Sequence, residues 1–274
     1  MPDPIVVTKQ MIEQHFDSAA TSYDRVGPSI FKLFGARLVE LMTIAPGARV
    51  LDIATGQGAV LLPAARCVRS EGHVIGIDLS SKLIKEVERA VSADGLANVE
   101  LSKMDAEHLD FPDQTFDVVT CAFALFLFPD MGAALREMYR VCKSGGRLGV
   151  SVFNNEPFPF TPGLPILFQQ FKEYRVTYHR PNQLSYTPEE LEGLFGQVGF
   201  ASIEIRSETS DVIYESEEDF WAFLLTFPLK AAILSMDEDK RAQFKDEYFS
   251  KLRPIFQRDG LHLTVSVIYA LVQR

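Results

Sequence analysis

Apolar positions recur along this chain with two periods, and the switches between them mark out its elements. Within residues 8–44, Ile12, Phe16, Ala19 and Ala20 recur at helical spacing, and Ile30, Leu33, Phe34, Leu38 and Leu41 repeat that spacing beyond Gly27-Pro28. From Arg49 to Phe153, short apolar runs alternate with amphipathic stretches at the interval of βαβ units. This pattern predicts strands at 49–53, 73–78, 98–103, 115–121 and 146–153, with helices near 58–69, 81–93 and 131–142. Ser80 stands as N-cap to the second of these helices, and Pro63 falls near the start of the first, where a missing amide costs least. After Phe153, Pro157, Pro159, Pro162 and Pro165 interleave with Phe158, Phe160, Leu164 and Phe168, which predicts an irregular apolar segment opening into a helix. A helix follows from Pro188 to about Gln197, then a strand at 200–206, a helical block at about 216–252 and a final strand at 262–272. The expected organisation is α/β: a helical N-terminal lid over 1–44, then a doubly wound, Rossmann-like core over 45–274. Insertions at about 157–187 and 212–258 are expected to act as further lid elements over the strand C-termini.

With 274 residues and 47% hydrophobic content, the chain is long enough for one well-buried core carrying a lid. A formal charge of −10 disfavours a surface that tracks phosphates, so nucleic acid is not an expected substrate and a small molecule or a protein side chain fits better. Cys67, Cys121 and Cys142 show neither CxxC nor metal-ligand spacing, so no disulfide or bound metal is expected and a reducing cytoplasm is the expected location. Met1-Pro2-Asp3-Pro4 lacks the basic and apolar regions of a secretory signal. The longest wholly apolar run, Cys121 to Pro129, is too short to span a bilayer.

The chemistry concentrates in Val50-Leu51-Asp52-Ile53-Ala54-Thr55-Gly56-Gln57-Gly58-Ala59-Val60, which reads as a buried strand, a glycine loop and a helix start. Such a loop brings backbone amides and a partly positive helix end close to a ligand. Asp52 decides which ligand, because its charge would oppose the pyrophosphate of a dinucleotide. The third glycine of the dinucleotide fingerprint is also missing, with Leu61 in its place. S-adenosylmethionine carries no phosphate, and its sulfonium and ammonium groups favour a nearby carboxylate. Val74-Ile75-Gly76-Ile77-Asp78 ends a second strand in an acid, twenty residues after Gly58, that can accept both ribose hydroxyls. In Met104-Asp105-Ala106-Glu107, Asp105 can accept from an adenine amino group while a backbone amide reaches the ring. Each acid alone reads equally well as a cap or a solvated turn. Three of them at successive parallel strand ends describe an adenosine site.

With these residues in place, the chain resembles the class I S-adenosylmethionine-dependent methyltransferases, closely over 45–153 and loosely elsewhere. Leu51 to Gly58 is similar to the family's first motif, Ile77-Asp78 to its ribose acid and Asp105-Ala106 to its adenine contact. Phe116 to Cys121 resembles strand four, and Leu135 to Arg147 the following helix and turn. Phe16 to Asp24 resembles the lid helix, whose tyrosine, here Tyr23, often lies over the cofactor. The resemblance implies cofactor contacts at Tyr23, Asp52, Ala54, Thr55, Gly56, Gly58, Asp78, Leu79, Asp105, Ala106, Cys121 and Ala122. Two departures stand out. Ala54 replaces a common glycine, a change tolerable only if φ is not positive there. The related ubiquinone and menaquinone C-methyltransferases usually follow Tyr-Asp with Met-Asn and carry a downstream His and Trp, whereas Arg25-Val26-Gly27-Pro28 follows here. The run from Phe123 to Asp130 looks more like small-molecule methyltransferases tied to secondary metabolism.

Methyl transfer from a sulfonium is an in-line displacement, so positioning supplies most of the acceleration and a general base is optional. His179, flanked by Tyr178 and close to Tyr186, is the candidate base for a hydroxyl acceptor, although a lone loop histidine is more often solvated. His15 ranks second. His108 is expected to pack near the adenine edge, and His73 and His262 to be structural. Cys121 reads as a small buried hydrophobe rather than a nucleophile. Phe123, Phe126, Phe158, Phe160, Trp221, Phe223 and Phe227 are candidates to line an acceptor pocket, though aromatics at helical spacing more often build core. Lys143 and Arg147 read as a solvated cap at the opposite end of the sheet. The expected activity is methyl transfer to O, N or C of a hydrophobic small molecule. The alternatives are a non-methylating reaction in the same pocket, such as a cyclisation, or a non-enzymatic binding module.

Overall fold

The computed structural model describes residues 8–177, 183–227 and 229–274. The strands are β1 (Arg49–Ile53), β2 (His73–Asp78), β3 (Val99–Lys103), β4 (Phe116–Ala122), β5 (Cys142–Asn154), β6 (Ser185–Tyr186), β7 (Ala201–Tyr214) and β8 (Leu261–Gln273). They form one sheet in the order β3-β2-β1-β4-β5-β8-β7, with the short β6 paired to β5. β1 to β5 run parallel, while β8 lies antiparallel between β5 and β7. The winding reverses between β1 and β4, which opens a crevice at their C-terminal ends.

The helices are α1 (Lys9–Ala19), α2 (Ile30–Met42), α3 (Leu61–Val68), α4 (Ser81–Ala93), α5 (Met131–Val141), α6 (Gly163–Glu173), α7 (Pro188–Val198), α8 (Glu217–Leu224), α9 (Leu229–Leu234) and α10 (Glu238–Leu252). Because helices cover both faces, the central strands are apolar at consecutive positions rather than alternating. Val50 and Val118 pack with α2 and α3 on one face, while Leu51, Ile53, Val119 and Cys121 pack with α5 and α7 on the other. Ser80 caps α4 as expected, accepting from the Leu83 amide at 3.1 Å. Thr187 and Glu190 form a capping box on α7.

The expected lid over 1–44 divides in two. Helix α1 lies against α4 at the strand C-terminal rim, whereas α2 buries Phe34, Leu38 and Met42 on the sheet beside β5, β8 and α3. Helix α3 starts at Leu61 rather than near Gly58, because residues 54–60 form the ligand-side loop. The strand expected at 200–206 continues to Tyr214, so the segment expected as a lid from 212 begins inside the sheet. Its polar run Ser207-Glu208-Thr209-Ser210 lies on the edge strand, where backbone pairing with β8 holds a strand without apolar alternation. The helical block breaks into α8, α9 and α10, with Ser216 and Asp237 as side-chain caps. Among the described residues no helix is long and apolar enough to cross a membrane.

The seating of α2 depends on Gly35, where an added Cβ would lie 2.6 Å from the Ala59 carbonyl oxygen. Alanine normally favours a helix interior over glycine by about 1 kcal/mol. Here the backbone clash reverses the sign, and Gly35→Ala is expected to destabilise the protein by about 1–3 kcal/mol in urea unfolding. An unchanged or raised stability would contradict this close approach.

Candidate functional site

Strand β1 delivers Asp52 to the crevice with its side chain 1% exposed, where its carboxylate accepts from the hydroxyls of Thr55 at 2.7 Å and Thr120 at 2.8 Å. Burial pushes its pKa up to about 6 despite these two donors, and the neighbouring Asp78 adds to the rise. Asp78, at the end of β2, accepts from the Gly56 amide at 2.9 Å on one oxygen and the Ser80 amide at 2.9 Å on the other. It too is raised to about 6, because burial outweighs those amides. Each oxygen retains lone-pair capacity for further donors.

Ala54 has φ of +54°, contrary to the condition under which the sequence admits a non-glycine residue there. The left-handed region costs an L-residue roughly 1–2 kcal/mol. The turn leaves β1, carries Thr55 back to Asp52 and lets its amide pair with the Ile77 carbonyl at 2.9 Å. Phe123, which leaves β4 beside it, is also at positive φ, +53°. At Gly58, where φ is +82°, an added Cβ would lie 2.8 Å from Val87 Cγ2, so the loop packs closely on α4 there. Cys121 points into the opposite core layer because side chains alternate along β4, and burial pushes its thiol pKa up. Ala122, its neighbour, faces the crevice.

Two adjoining clefts result. The larger, about 730 Å³ with the solvent it borders, runs from Lys9, Asp105, Ala106 and Glu107 past Leu79, Asp78 and Gly56 to Tyr23, Ala122 and Phe123. The smaller, about 460 Å³ on the same basis, is lined by Asp24, Lys32, Asp52, Thr55 and Gln57 and shares Tyr23, Ala54, Gly56, Ala122 and Phe123 with the first.

Helix α1 closes over the larger cleft through Lys9, Glu13 and Asp17, which the sequence alone does not single out, and through His15. Lys9 Nζ sits 2.7 Å from Asp105 Oδ2 and 2.5 Å from Glu107 Oε2. Lys103 Nζ reaches Glu13 at 2.6 Å, and Asp17 accepts from Ser80 Oγ at 2.5 Å and the Lys82 amide at 3.2 Å. His15 donates through Nε2 to the Thr226 carbonyl at 2.9 Å, joining α1 to the turn after α8, and burial lowers its pKa. The departure Arg25-Val26-Gly27-Pro28 proves to be the clamp of this lid. Arg25 donates to Gln57 at 3.0 Å and to the buried Glu86 at 2.9 Å, while Gln57 donates to the Ala20 carbonyl at 2.7 Å. Gly27 lies under Tyr214, whose ring would come within 2.6 Å of an added Cβ. Asp24 caps α2 through the amides of Phe31 and Lys32, and burial raises its pKa to about 6.

Aromatic rings continue from the cleft toward the C-terminal helices. Tyr23 stacks on Phe31 at 5.3 Å, and Phe31 meets Phe123 at 5.3 Å and Phe227 at 6.3 Å. Phe160 and Phe223 are buried core, Trp221 packs against α10, and Phe126 and Phe158 are half-buried. His179 and Tyr178 lie outside the described residues. His108 is exposed beside Asp105, at 3.6 Å, while His73 and His262 pair with carboxylates away from the crevice. Lys143 pairs with Asp117 at the opposite end of the sheet, where Arg147 donates to the Thr43 carbonyl. Asp105, Glu107 and His108 form a grouping with metal-ligand proximity, but the ammonium of Lys9 already bridges its two acids.

The model of the ubiE/COQ5 methyltransferase family matches residues 5–215. An aklanonic acid methyltransferase of Streptomyces sp. (strain C5) is 37% identical over 180 residues, covering 64% of this chain and 82% of the relative. A demethylmenaquinone methyltransferase of Staphylococcus carnosus is 29% identical over 223 residues, covering 74% and 90%. Among solved structures, a SAM-dependent methyltransferase from Aquifex aeolicus superposes with TM-score 0.55 at 22% identity, covering 72% of this chain and 92% of that one. The Haemonchus contortus phosphoethanolamine N-methyltransferase 2 in complex with S-adenosyl-L-methionine gives TM-score 0.60 at 20% identity, covering 100% and 61%.

The strain at Ala54 makes a test of the loop. Ala54→Gly is expected to stabilise the free protein by about 1 kcal/mol and raise its melting midpoint by about 2 °C. A lowered midpoint in calorimetric scans would show that the loop does not hold this residue at positive φ.

Proposed function

Because this chain belongs to the ubiE/COQ5 methyltransferase family and is therefore an S-adenosylmethionine-dependent small-molecule methyltransferase, we propose that its acceptor is a hydrophobic aromatic metabolite, of the kind made in secondary metabolism. The observation that carries the acceptor reading is that Tyr23, Phe31 and Phe123 line the clefts, with Phe227 packed against Phe31. The names of two relatives agree, one referring to aklanonic acid and the other to demethylmenaquinone. Three free cysteines support a cytoplasmic location.

The residues present fit the cofactor. Asp52 and Asp78 are buried carboxylates with hydroxyl and amide donors but no cationic side chain on either among the described residues. Such a pair favours a cationic ligand and disfavours pyrophosphate. When bound, S-adenosylmethionine supplies an electrophilic methyl group on a positively charged sulfur. In our reading Asp78 and Leu79 hold the ribose, and Asp105 and Ala106 the adenine. Asp52, Ala54, Thr55, Gly56 and Ala122 surround the methionine portion, with Lys32 at its carboxylate. Tyr23 covers the methyl side, and its hydroxyl stays protonated because burial raises its pKa beyond the usual range. Helix α1 is the lid, and the segments around α6 and α8 to α10 are the outer walls of the acceptor site. An acceptor that arrives ionised needs no base. For a neutral hydroxyl, His179 is the proposed one.

Incubation with S-adenosylmethionine and a panel of aromatic acids, phenols and quinols, read by mass spectrometry, is expected to give one added methyl per S-adenosylhomocysteine formed. Absence of a methylated product across such a panel would contradict the acceptor class. Asp78→Ala is expected to weaken S-adenosylmethionine binding at least about tenfold, on the scale of hydrogen bonds to a charged group, in a protein that still unfolds cooperatively. Unchanged affinity would remove Asp78 from the ribose.

The raised carboxyls also set a pH dependence. Their folded values of about 6 lie above the usual carboxylate range, so their contribution to stability is present at low pH and lost as pH rises through 6. A bound sulfonium favours the ionised forms, so the rise in melting midpoint caused by S-adenosylmethionine is expected to be larger at pH 7.5 than at pH 5. Equal rises at the two pH values would contradict the coupling.

A further inference from the structure

We propose that Lys9 is a specificity-determining residue for the adenine ring, a hydrogen-bond donor that the lid helix carries to the cofactor. The proposal rests on the reading that the cleft takes S-adenosylmethionine. Lys9 lines the end of the larger cleft together with Asp105, Ala106 and Glu107. Its ammonium has three N–H donors, and two are directed at Asp105 and Glu107. The two carboxylates are themselves anchored. Asp105 Oδ1 accepts from the Glu107 amide at 3.0 Å, and Glu107 Oε1 accepts from the Asp130 amide at 2.8 Å. The ammonium is therefore held in place before any ligand arrives, with one donor left over.

The ligand edge that fits this wall follows from its chemistry. Adenine presents an amino donor beside a ring-nitrogen acceptor. The amino group is flanked by two ring-nitrogen acceptors, N1 and N7; the Ala106 amide can meet one of them, and carboxylates alone would leave the other facing an acceptor. Lys9 beside Asp105 sets a donor next to an acceptor, which complements both atoms. Holding the helix in place does not by itself require this lysine, since Glu13 with Lys103 and Asp17 with Ser80 already tie α1 to the core. The side chain of Lys9 is 34% exposed, so replacing it opens no core cavity.

The test is calorimetric affinity for S-adenosylhomocysteine and for its analogues with carbon in place of ring nitrogen N1 or N7. The proteins compared are the wild type, Lys9→Met and Lys103→Met. One of the two analogues is expected to bind the wild type about tenfold more weakly than the parent, the scale of a partly exposed hydrogen bond from a charged donor. That penalty is expected to vanish in Lys9→Met. Lys103→Met removes only a helix tie and should weaken all three ligands by the same factor while keeping the penalty. If the wild type shows no penalty for either analogue, or if Lys9→Met retains in full every penalty that the wild type shows, Lys9 is a clasp and the proposal is overturned. Failure of S-adenosylhomocysteine itself to bind the wild type would instead overturn the cofactor reading on which the proposal rests.

Discussion

Asp78 bonds two backbone amides on opposite sides of one crevice, Gly56 in the loop after β1 and Ser80 at the start of α4. This carboxylate fixes where the loop sits relative to the sheet, and it stays close enough to Asp52 for each acid to feel the other in a dry environment. The rest of the site follows from satisfying that pair. Thr55 and Thr120 turn their hydroxyls to Asp52, the chain bends through positive φ at Ala54 to bring Thr55 round, and Gly56 presents its amide. Two buried acids without a cationic partner cost stability unless a cation arrives. The geometry that burdens the free protein is the same geometry that we propose selects the cofactor.

The lid completes the enclosure with a different kind of interaction. Its apolar side chains, Ile12 and Phe16, line the cleft, while Lys9, Glu13 and Asp17 fasten it to β3, the loop after it and the start of α4. Salt bridges at this level of exposure contribute little each. Their effect is to choose one position for α1, while Gln57, buried, and Arg25, partly exposed, hold the segment that follows it. His15 reaches the carbonyl of Thr226, so the same helix borders both the cofactor cleft and the aromatic region beyond Phe31.

The strand ends were legible because their chemistry is local. Asp52 with Gly56, Ile77 with Asp78, and Asp105 with Ala106 are each adjacent or near-adjacent in sequence, and parallel strands bring such ends to one rim whatever the connections. The lid was not, since Lys9 meets Asp105 across 96 positions, Arg25 meets Gln57 across 32 and His15 meets Thr226 across 211. No spacing rule reports such pairs. The backbone conformation at Ala54 was equally hidden, because residue type indicates what a position tolerates and not what its neighbours impose. The side-chain direction of Cys121 and the close approach of Val87 to Gly58 were hidden as well, since strand alternation and packing against α4 set them. The extension of β7 to Tyr214 was missed because an edge strand needs no apolar outer face.

The buried pair Asp52 and Asp78 is expected to select an adenosyl amino acid, with its cationic ammonium, over a phosphate-bearing nucleotide. Calorimetric titration of the ligand-free protein with S-adenosylmethionine, S-adenosylhomocysteine and NAD tests it most directly. Saturable binding of the first two and none of NAD over the same concentration range is expected. Binding of NAD with comparable affinity, or no binding of either adenosyl ligand, would contradict it.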